Sequence, residues 1–353
     1  MQPAFNLSSS GSGNGNGASV DPLIRDYDNL FRVFYNYPPV LDSFNIASAY
    51  TECKSLLSLA DMYDALTVTG PRVDHHLLRF GSRLFKQIAK YPPSYLKLGY
   101  LARSRVIFTE ALIHVVGEWP AAQRYLRNSG PYPPVPQSVV DLIEDKVDDL
   151  EQLKSRVESR LLRLTLTTSR GERVNPNNAY LEWLAVSLFR QWLVDSTTNP
   201  PTPILKNSPS RTGPHSVGTL SRTLSHRSQS SSSLGVPAGG SSSGSPISPA
   251  GIYRLIGSSS PEGYLPYDEL KHFLKLHPTS SSSSIYSRDV MKRFERKMDE
   301  IKRLAREIVK PLVRNFLELD LKGGEVVNGD VIIRGPPYLT CTKVEEEDLP
   351  WNR

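Results

Sequence analysis

LFRVFYNYPPVLDSFNIASAYTECKSLLSLADMYDAL, residues 30–66, sets one helix on each side of a proline turn. Leu30, Phe31, Val33 and Phe34 fall within one helical turn. The run stops at Tyr37-Pro38-Pro39, because proline disfavours helix in the residue before it. Cys53, Leu56, Leu57, Ala60 and Tyr63 then recur at helical spacing and predict a helix with a single apolar stripe. Apolar spacing near 3.6, and no alternation of period two, makes the fold helical here.

The same texture extends outward. Residues 76–90, 94–116, 139–166 and 178–194 each show helical periodicity, punctuated by Tyr91-Pro92-Pro93 and by the proline-rich stretch 131–136. Ile143, Val147, Leu150, Val157, Leu161 and Leu164 form a seam suited to a long helix lying antiparallel to a neighbour. Beyond 195 the composition turns to Ser, Pro, Gly and Thr, then a short helix is predicted over 267–276 and a long amphipathic one over 287–319. In the long one Phe294, Met298, Ile301, Ala305, Ile308 and Leu312 make the apolar stripe, with Pro311 bending its end. Val326, Val327, Val331, Ile332 and Ile333 flank Asn328-Gly329, a hairpin signal because both turn residues tolerate positive φ. Residues 338–344 are expected to supply a third strand. The expected class is mainly α with a small terminal β-hairpin. Its parts are a disordered Ser/Gly/Asn tail over 1–22, a helical body over 23–195, a disordered linker over 196–264, and a C-terminal helix and hairpin over 265–353 that dock on the body.

Of 353 residues, 39% are hydrophobic and 22% charged, and 42 Lys and Arg against 36 Asp and Glu leave a net charge of +6. This excess is modest and does not select a nucleic-acid partner. No run of eighteen apolar residues exists, and the first twenty residues have neither a basic start nor an apolar centre, so a membrane span and a secretory leader are not expected. With only Cys53 and Cys341, neither a disulfide framework nor a cysteine zinc site can be built, and a reducing compartment, cytoplasm or nucleus, is expected.

Candidate chemistry is sparse. His75-His76 beside Asp61, Asp64 and Asp74 has the residue types of a metal site, but adjacent residues project to different sides of a helix, so a histidine pair at a helix start is the reading. Cys53 lies on an apolar stripe and reads as a small buried hydrophobe. No phosphate-cradling glycine motif or nucleophile elbow stands between a strand and a helix. Trp119, Trp183 and Trp192 lie on or beside apolar faces and are expected in the core. Residues 288–314 carry ten Lys and Arg against five Asp and Glu. They read as a solvated face laced with pairs of Glu295 and Asp299 against Lys292, Lys302 and Arg303. No catalytic, cofactor or metal residue is therefore nominated.

Residues 30–66, with a short helix and loop ahead of LLSLADMY, resemble the second half of a BTB/POZ domain. EALIHVVGEWP, AYLEWLAVSLFRQWLVDS and the C-terminal YLTCTKVEEEDLPW are similar to the helical extension and tail of fungal BTB-domain-containing proteins. The resemblance implies a non-enzymatic protein-interaction function, with partners that include a second copy or a ubiquitin-ligase scaffold. Positions equivalent to the family's β-rich front half would fall before residue 23, in the Ser/Gly tail. The faces at 30–34 and 53–63 are therefore expected to lose neighbours that the family provides. The alternative function is a nucleic-acid-associated regulator using the basic C-terminal helix.

The Ser-rich stretch holds the regulatory candidates. Ser225 and Ser230 stand three residues after Arg222 and Arg227, and Ser208, Ser245, Ser248 and Ser260 precede proline, patterns that kinases favour. Each phosphate would add close to two negative charges to a basic segment. Deleting 212–245 is expected to shift the melting temperature by no more than about a degree or two, since closure entropy varies slowly with loop length, and to abolish kinase labelling. Differential scanning fluorimetry and a phosphate-incorporation assay on the deleted chain check both halves.

Overall fold

The computed structural model describes residues 21–127, 135–198, 248–258, 260, 262–276, 286–319, 326–327, 330–331 and 335–352. Of the expected disordered tail over 1–22, residues 1–20 lie outside the described residues, as does most of the expected linker, while Asp21 and Pro22 are not tail but cap and open a helix. Among the described residues are twelve α-helices and one two-residue antiparallel ladder, so the fold is mainly α. The chain divides into two compact units. One is drawn from Met1–Gln152, Asn315–Gly323 and Thr340–Arg353, the other from Leu153–Arg314 and Gly324–Leu339.

The first unit begins with α1 (Pro22–Phe34). Asp21 caps it by accepting the Leu23 N–H, and Pro22 fills a position whose N–H has no helical acceptor. Buried Asn29 then fixes the return loop, its amide donating to the Val40 carbonyl while its oxygen accepts the Val40 N–H. Helix α2 (Ile46–Met62), capped by Asn45, buries Ala49, Cys53, Leu56, Leu57 and Ala60 as the stripe predicts. Its last member differs, for Tyr63 is the C-cap and is exposed.

Two expected helices are each broken once. The pattern over 76–90 resolves into α3 (Leu66–Leu78) and α4 (Ser82–Lys90), separated at Gly81, whose φ of 54° is left-handed and suits glycine. The pattern over 94–116 resolves into α5 (Pro92–Leu101) and α6 (Arg105–Gly117), parted by Arg103 at φ 51°. Ser104 restarts the chain there. Its hydroxyl donates to Asp74 at 2.5 Å and accepts the Ile107 N–H at 3.2 Å. Apolar spacing runs through both breaks, because each pair of short helices buries the same side of the chain.

Helices α5 and α6 pack almost backbone to backbone. A Cβ on Gly99 would stand 2.8 Å from the Phe108 nitrogen and 3.0 Å from its Cα. After α7 (Gln123–Arg127), α8 (Gln137–Leu162) contributes Val139, Leu142 and Ile143 to this core, and its residues from Leu153 onward belong to the second unit. The C-terminal segment also lies in the first unit, with Leu349 buried and Trp351 edge-on to Phe108 at 5.3 Å. Lys146 pairs with Asp348 at 2.7 Å, and the Phe316 N–H donates to Thr340. No third strand forms among the described residues of 338–344. Thr340, Cys341 and Thr342 are buried as irregular chain, and a 3-10 turn follows over Glu346–Asp348.

In the second unit, α9 (Tyr180–Thr197), α10 (Pro249–Gly257) and α11 (Tyr267–Leu276) pack around α12 (Arg288–Val313). The stripe on α12 is buried at Phe294, Met298, Ile301, Ala305 and Leu312, but Val309 replaces Ile308 as its fully buried member. Straight helical geometry at 3.6 residues per turn favours the i+4 position after Ala305. Arg293 on α12 bonds Glu182 on α9 at 2.6 Å, and the buried Lys302 ammonium donates to the Leu265 carbonyl at 3.0 Å. Of the predicted hairpin, β1 (Val326–Val327) and β2 (Asp330–Val331) are described, paired Val326 with Val331 and Val327 with Asp330, while Asn328, Gly329, Ile332 and Ile333 lie outside the described residues.

Helix α10 lies inside the stretch 196–264 expected to be a linker. Ser248 caps it and Pro249 opens it, while Ile252, Tyr253 and Ile256 are buried. So short an apolar run does not stand out from surrounding Ser and Pro, although Ser-Pro ahead of apolar residues is itself a helix-start signal.

Gly99→Ala is expected to lower unfolding free energy by about 1–3 kcal/mol, the usual cost of overpacking. Because backbone atoms block the new methyl, no rotamer change relieves it. Urea unfolding of the variant measures the loss, with Gly81→Ala, where a Cβ meets no atom within 4 Å and only the left-handed backbone resists, as the milder comparison.

Candidate functional site

The groups nominated from the sequence do not assemble into chemistry. Cys53 is fully buried, and burial pushes its thiol far up from the ordinary range. His75 and His76 end α3 and do not start a helix; His75 is exposed, while His76 is buried with Nε2 2.8 Å from the Asp42 carbonyl oxygen. Asp74 turns to Ser104. Among the described residues no three His, Cys, Asp or Glu side chains are grouped to hold a metal. Trp119, Trp183 and Trp192 are half-buried, Trp183 beside Tyr180 and Trp192 stacked on Tyr264 at 4.5 Å. Ser208, Ser225, Ser230 and Ser245 lie outside the described residues. Ser248 is the N-cap of α10, its hydroxyl accepting the Gly251 N–H, and Ser260 is exposed.

The most perturbed pair of groups carries no motif in the sequence. Glu110 and His114, one turn apart on α6, are 2% and 1% exposed, with Nε2 and Oε1 3.9 Å apart. Burial raises the Glu110 carboxyl to about 7, against the backbone N–H groups of Glu318 and Leu319 that donate to it at 2.8 and 3.2 Å. Burial lowers the His114 imidazole to about 4. Perturbed acid and base groups often mark active sites. These two are sealed inside the first unit, and the carboxylate's work is to hold residues 318 and 319. The arrangement is a clamp on the chain.

A surface is the stronger candidate. With about 100° between successive residues, the buried Asp26, Asn29, Leu30 and Val33 take one side of α1. Leu23, Ile24, Tyr27, Phe31 and Phe34 take the neighbouring side, over a further arc of about 100°. Of these, Leu23, Ile24, Phe31 and Phe34 are 48–61% exposed. Their rings already touch, Phe31 with Phe34 at 6.3 Å and Tyr27 with Tyr63 at 6.2 Å, where the two hydroxyls meet at 3.1 Å. Met62 adds a side chain 78% exposed at the end of α2. Only Arg25, Asp28 and Arg32 remain to make the polar face, and Arg32 pairs with Asp28 at 2.8 Å. Contiguous exposed aromatic area of this kind is what monomers avoid and interfaces use.

On α12, Lys292, Arg296, Arg303 and Lys310 are exposed and fall within about 40° of one another around the axis. Lys302, expected on that solvated face, is buried instead. Lys310 pairs with Glu307 at 3.5 Å, and Lys297 with Glu300 at 3.0 Å. No helix among the described residues is long and apolar enough to cross a membrane. No family model, no curated protein and no solved structure matches this chain.

Glu110 and His114 set opposed pH dependences. The folded value of Glu110 lies above the ordinary 4.5, so its contribution to stability is complete below about pH 4.5 and is lost as pH rises through about 7. His114 acts oppositely: its contribution is complete above 6.5 and is lost as pH falls through about 4. Between about pH 4.5 and 6.5 the two slopes cancel, and this pair leaves the stability of the native chain nearly level. Glu110→Gln removes the falling member and uncovers the rising one. The variant should therefore gain on the order of 3 kcal/mol relative to the native chain between about pH 4.5 and 7, the size set by a shift this large. Urea midpoints of both chains at half-unit pH intervals test this.

Proposed function

We propose that this chain is a non-enzymatic module that binds protein inside the cell through the aromatic arc of α1. The observation that carries the reading is the bare side of α1, where Ile24, Phe31 and Phe34 stand exposed while only Arg25, Asp28 and Arg32 form its polar face. Covering one such side chain contributes about 1.5–3 kcal/mol, so a partner groove that accepts three gains enough for a specific complex. The resemblance of residues 30–66 to fungal BTB-domain-containing proteins points to the same class, whose partners include ubiquitin-ligase scaffolds. The sealed positions of Glu110 and His114, and the burial of Cys53, support binding over catalysis.

A second reading has its own observation, the ridge of Lys292, Arg296, Arg303 and Lys310. A cationic ridge attracts phosphates without needing aromatic residues. Nucleic-acid binding there would weaken steeply with salt, and Lys292→Ala with Arg296→Ala would reduce the slope of log affinity against log salt by about 2.

The two readings separate cleanly. Phe31→Glu combined with Phe34→Glu should abolish capture of partner proteins by the immobilised chain and leave any nucleic-acid retention unchanged. Both side chains are half exposed, so the doubly substituted chain should melt within about 2 °C of the native one, surface changes being worth within about 0.5 kcal/mol each. Quantitative pull-down of native against substituted chain is the measurement. Equal capture by both would refute the assignment of α1 as the contact.

A further inference from the structure

The spacing of the exposed residues on α1 contains more than hydrophobicity. Ile24, Tyr27, Phe31 and Phe34 are separated by three, four and three positions, a sequence of steps that reads the same from either end and is centred on position 29. A stripe with that symmetry is complementary to itself when reversed. If a second α1 lies antiparallel across it about a two-fold axis, position n of one helix faces position 58 − n of the other. Ile24 then meets Phe34 of the second copy, and Tyr27 meets Phe31, so every large side chain opposes another large side chain. An isologous contact requires this kind of self-complementarity.

The charges at the edge of the stripe obey the same symmetry. Asp28 and Arg32 flank the Ile24 side of the arc and point along one edge of the helix. Under the two-fold, the same edges of the two helices lie side by side. Along the axis the order becomes Arg32 of the second copy, Asp28, Asp28 of the second copy, then Arg32. Each aspartate thus has an arginine of the opposite copy on one side and its own symmetry mate on the other, each about two residues, or about 3 Å of rise, away. Arg25 lies on this same edge, about 20° from Arg32 around the axis, and comes within about one residue of rise of Arg32 of the second copy; its guanidinium is already paired with Glu52 of α2 at 2.7 Å.

Area is consistent with this occupant. Six exposed residues, Leu23, Ile24, Phe31, Phe34, Tyr35 and Tyr63, present roughly 600–700 Å² if each side chain offers about 200 Å² in full. Standard interfaces bury about 800 Å² per partner and transient ones less. Helix α1 is about 20 Å long, so one antiparallel pairing covers its whole stripe.

We propose that the partner of the α1 surface is a second copy of this chain, joined by antiparallel α1–α1 pairing with Ile24 against Phe34, Tyr27 against Phe31, and Asp28 against Arg32 across the two-fold. This rests on the reading of α1 as the contact surface and names its occupant. Pairing of this size gives a dimer that dissociates in the micromolar range, so the state of the chain depends on its concentration.

The test is sedimentation equilibrium of the full chain and of three variants. The native chain should dimerise. Phe31→Glu should weaken the dimer about tenfold or more while its circular-dichroism melting curve under monomeric conditions stays unchanged. Asp28→Lys places four cations along the shared edge, and Arg32→Asp places four anions, so each variant alone should be weaker than the native chain. Mixing the two variants sets the cations of one copy against the anions of the other, at positions 28 and 32 alike. A mixture that regains dimer is expected, and it fixes the contact as one between copies and no other protein. A native chain that stays monomeric at about 100 μM, well above the expected dissociation range, overturns the proposal, as does a mixture no tighter than its components. If the native monomer still captures heterologous proteins that the doubly substituted Phe31→Glu, Phe34→Glu chain does not, the occupant is a different protein and the α1 binding surface survives. If removing residues 1–20 converts a native monomer into a dimer, those residues are the occupant in the intact chain and the proposal likewise fails.

Discussion

Helix α6 has no polar face to turn to water. Ile107, Phe108, Ala111, Leu112, Ile113, Val115 and Val116 cover its circumference and all are buried, so the first unit must wrap it on every side. That requirement explains features that look unrelated. Gly99 lets α5 approach the backbone of Phe108, Trp351 closes another side from the distant end of the chain, and α8 brings Val139, Leu142 and Ile143. The one acidic group on the helix, Glu110, is forced inside by the same packing, and the N–H groups of residues 318 and 319 satisfy it. A buried carboxylate without donors costs several kcal/mol, so segment 315–319 is held where α6 needs it.

The second unit answers a different constraint. Helix α12 is strongly two-sided, with Met291, Phe294, Met298, Ile301, Ala305, Val309 and Leu312 on one side and a cationic ridge on the other. It therefore needs cover on one side only, and α9, α10 and α11 provide it. Polar groups that fall at the margin are paired: Glu182 with Arg293, Lys302 with the Leu265 carbonyl and with the Tyr264 ring at 5.1 Å. The Arg254 guanidinium donates to the Pro336 and Tyr338 carbonyls, tying the chain after the hairpin to α10. Such bonds specify a register that apolar contact alone leaves degenerate.

Periodicity in a sequence reports which side of a helix is apolar, and that much is legible for α2, α9 and α12. It does not report where a helix stops when both halves face the same core. Residues 94–116 look continuous because Leu96, Leu98, Ile107 and Phe108 are all buried, yet Arg103 turns left-handed between them. The Ser104 cap is the available signal, a hydroxyl three residues ahead of an apolar run. Tail residues 340–342 have β-branched and apolar character that suggests a strand. They are buried as irregular chain outside any ladder, because threonine and cysteine fill a shallow core position as readily as they join a strand. Spacing cannot single out Glu110 and His114, since a carboxylate and an imidazole four apart on a helix are as common on a surface; only their burial separates the cases.

The exposed arc of α1 is half visible in the sequence. Leu30, Phe31, Val33 and Phe34 form one apolar cluster there, and the structure divides them: Leu30 and Val33 are buried, Phe31 and Phe34 are not. Four apolar residues in five positions span more of a helix than any one neighbour covers, since a single packed face takes about 100°. An excess of that kind has two physical outcomes, a second neighbour or exposure, and the neighbours that residues 21–127 supply, α2, α3 and the return loop, leave Phe31 and Phe34 uncovered. What remains uncovered is ordered by the helix itself. The rings of Tyr27, Phe31 and Phe34 sit on a rigid element capped at Asp21 and fastened at Asn29, so a partner that meets them does not have to order the helix that carries them. The return-loop bonds at Asn29 therefore fix the uncovered stripe as well as the loop, because the same residue anchors the middle of the helix that carries it.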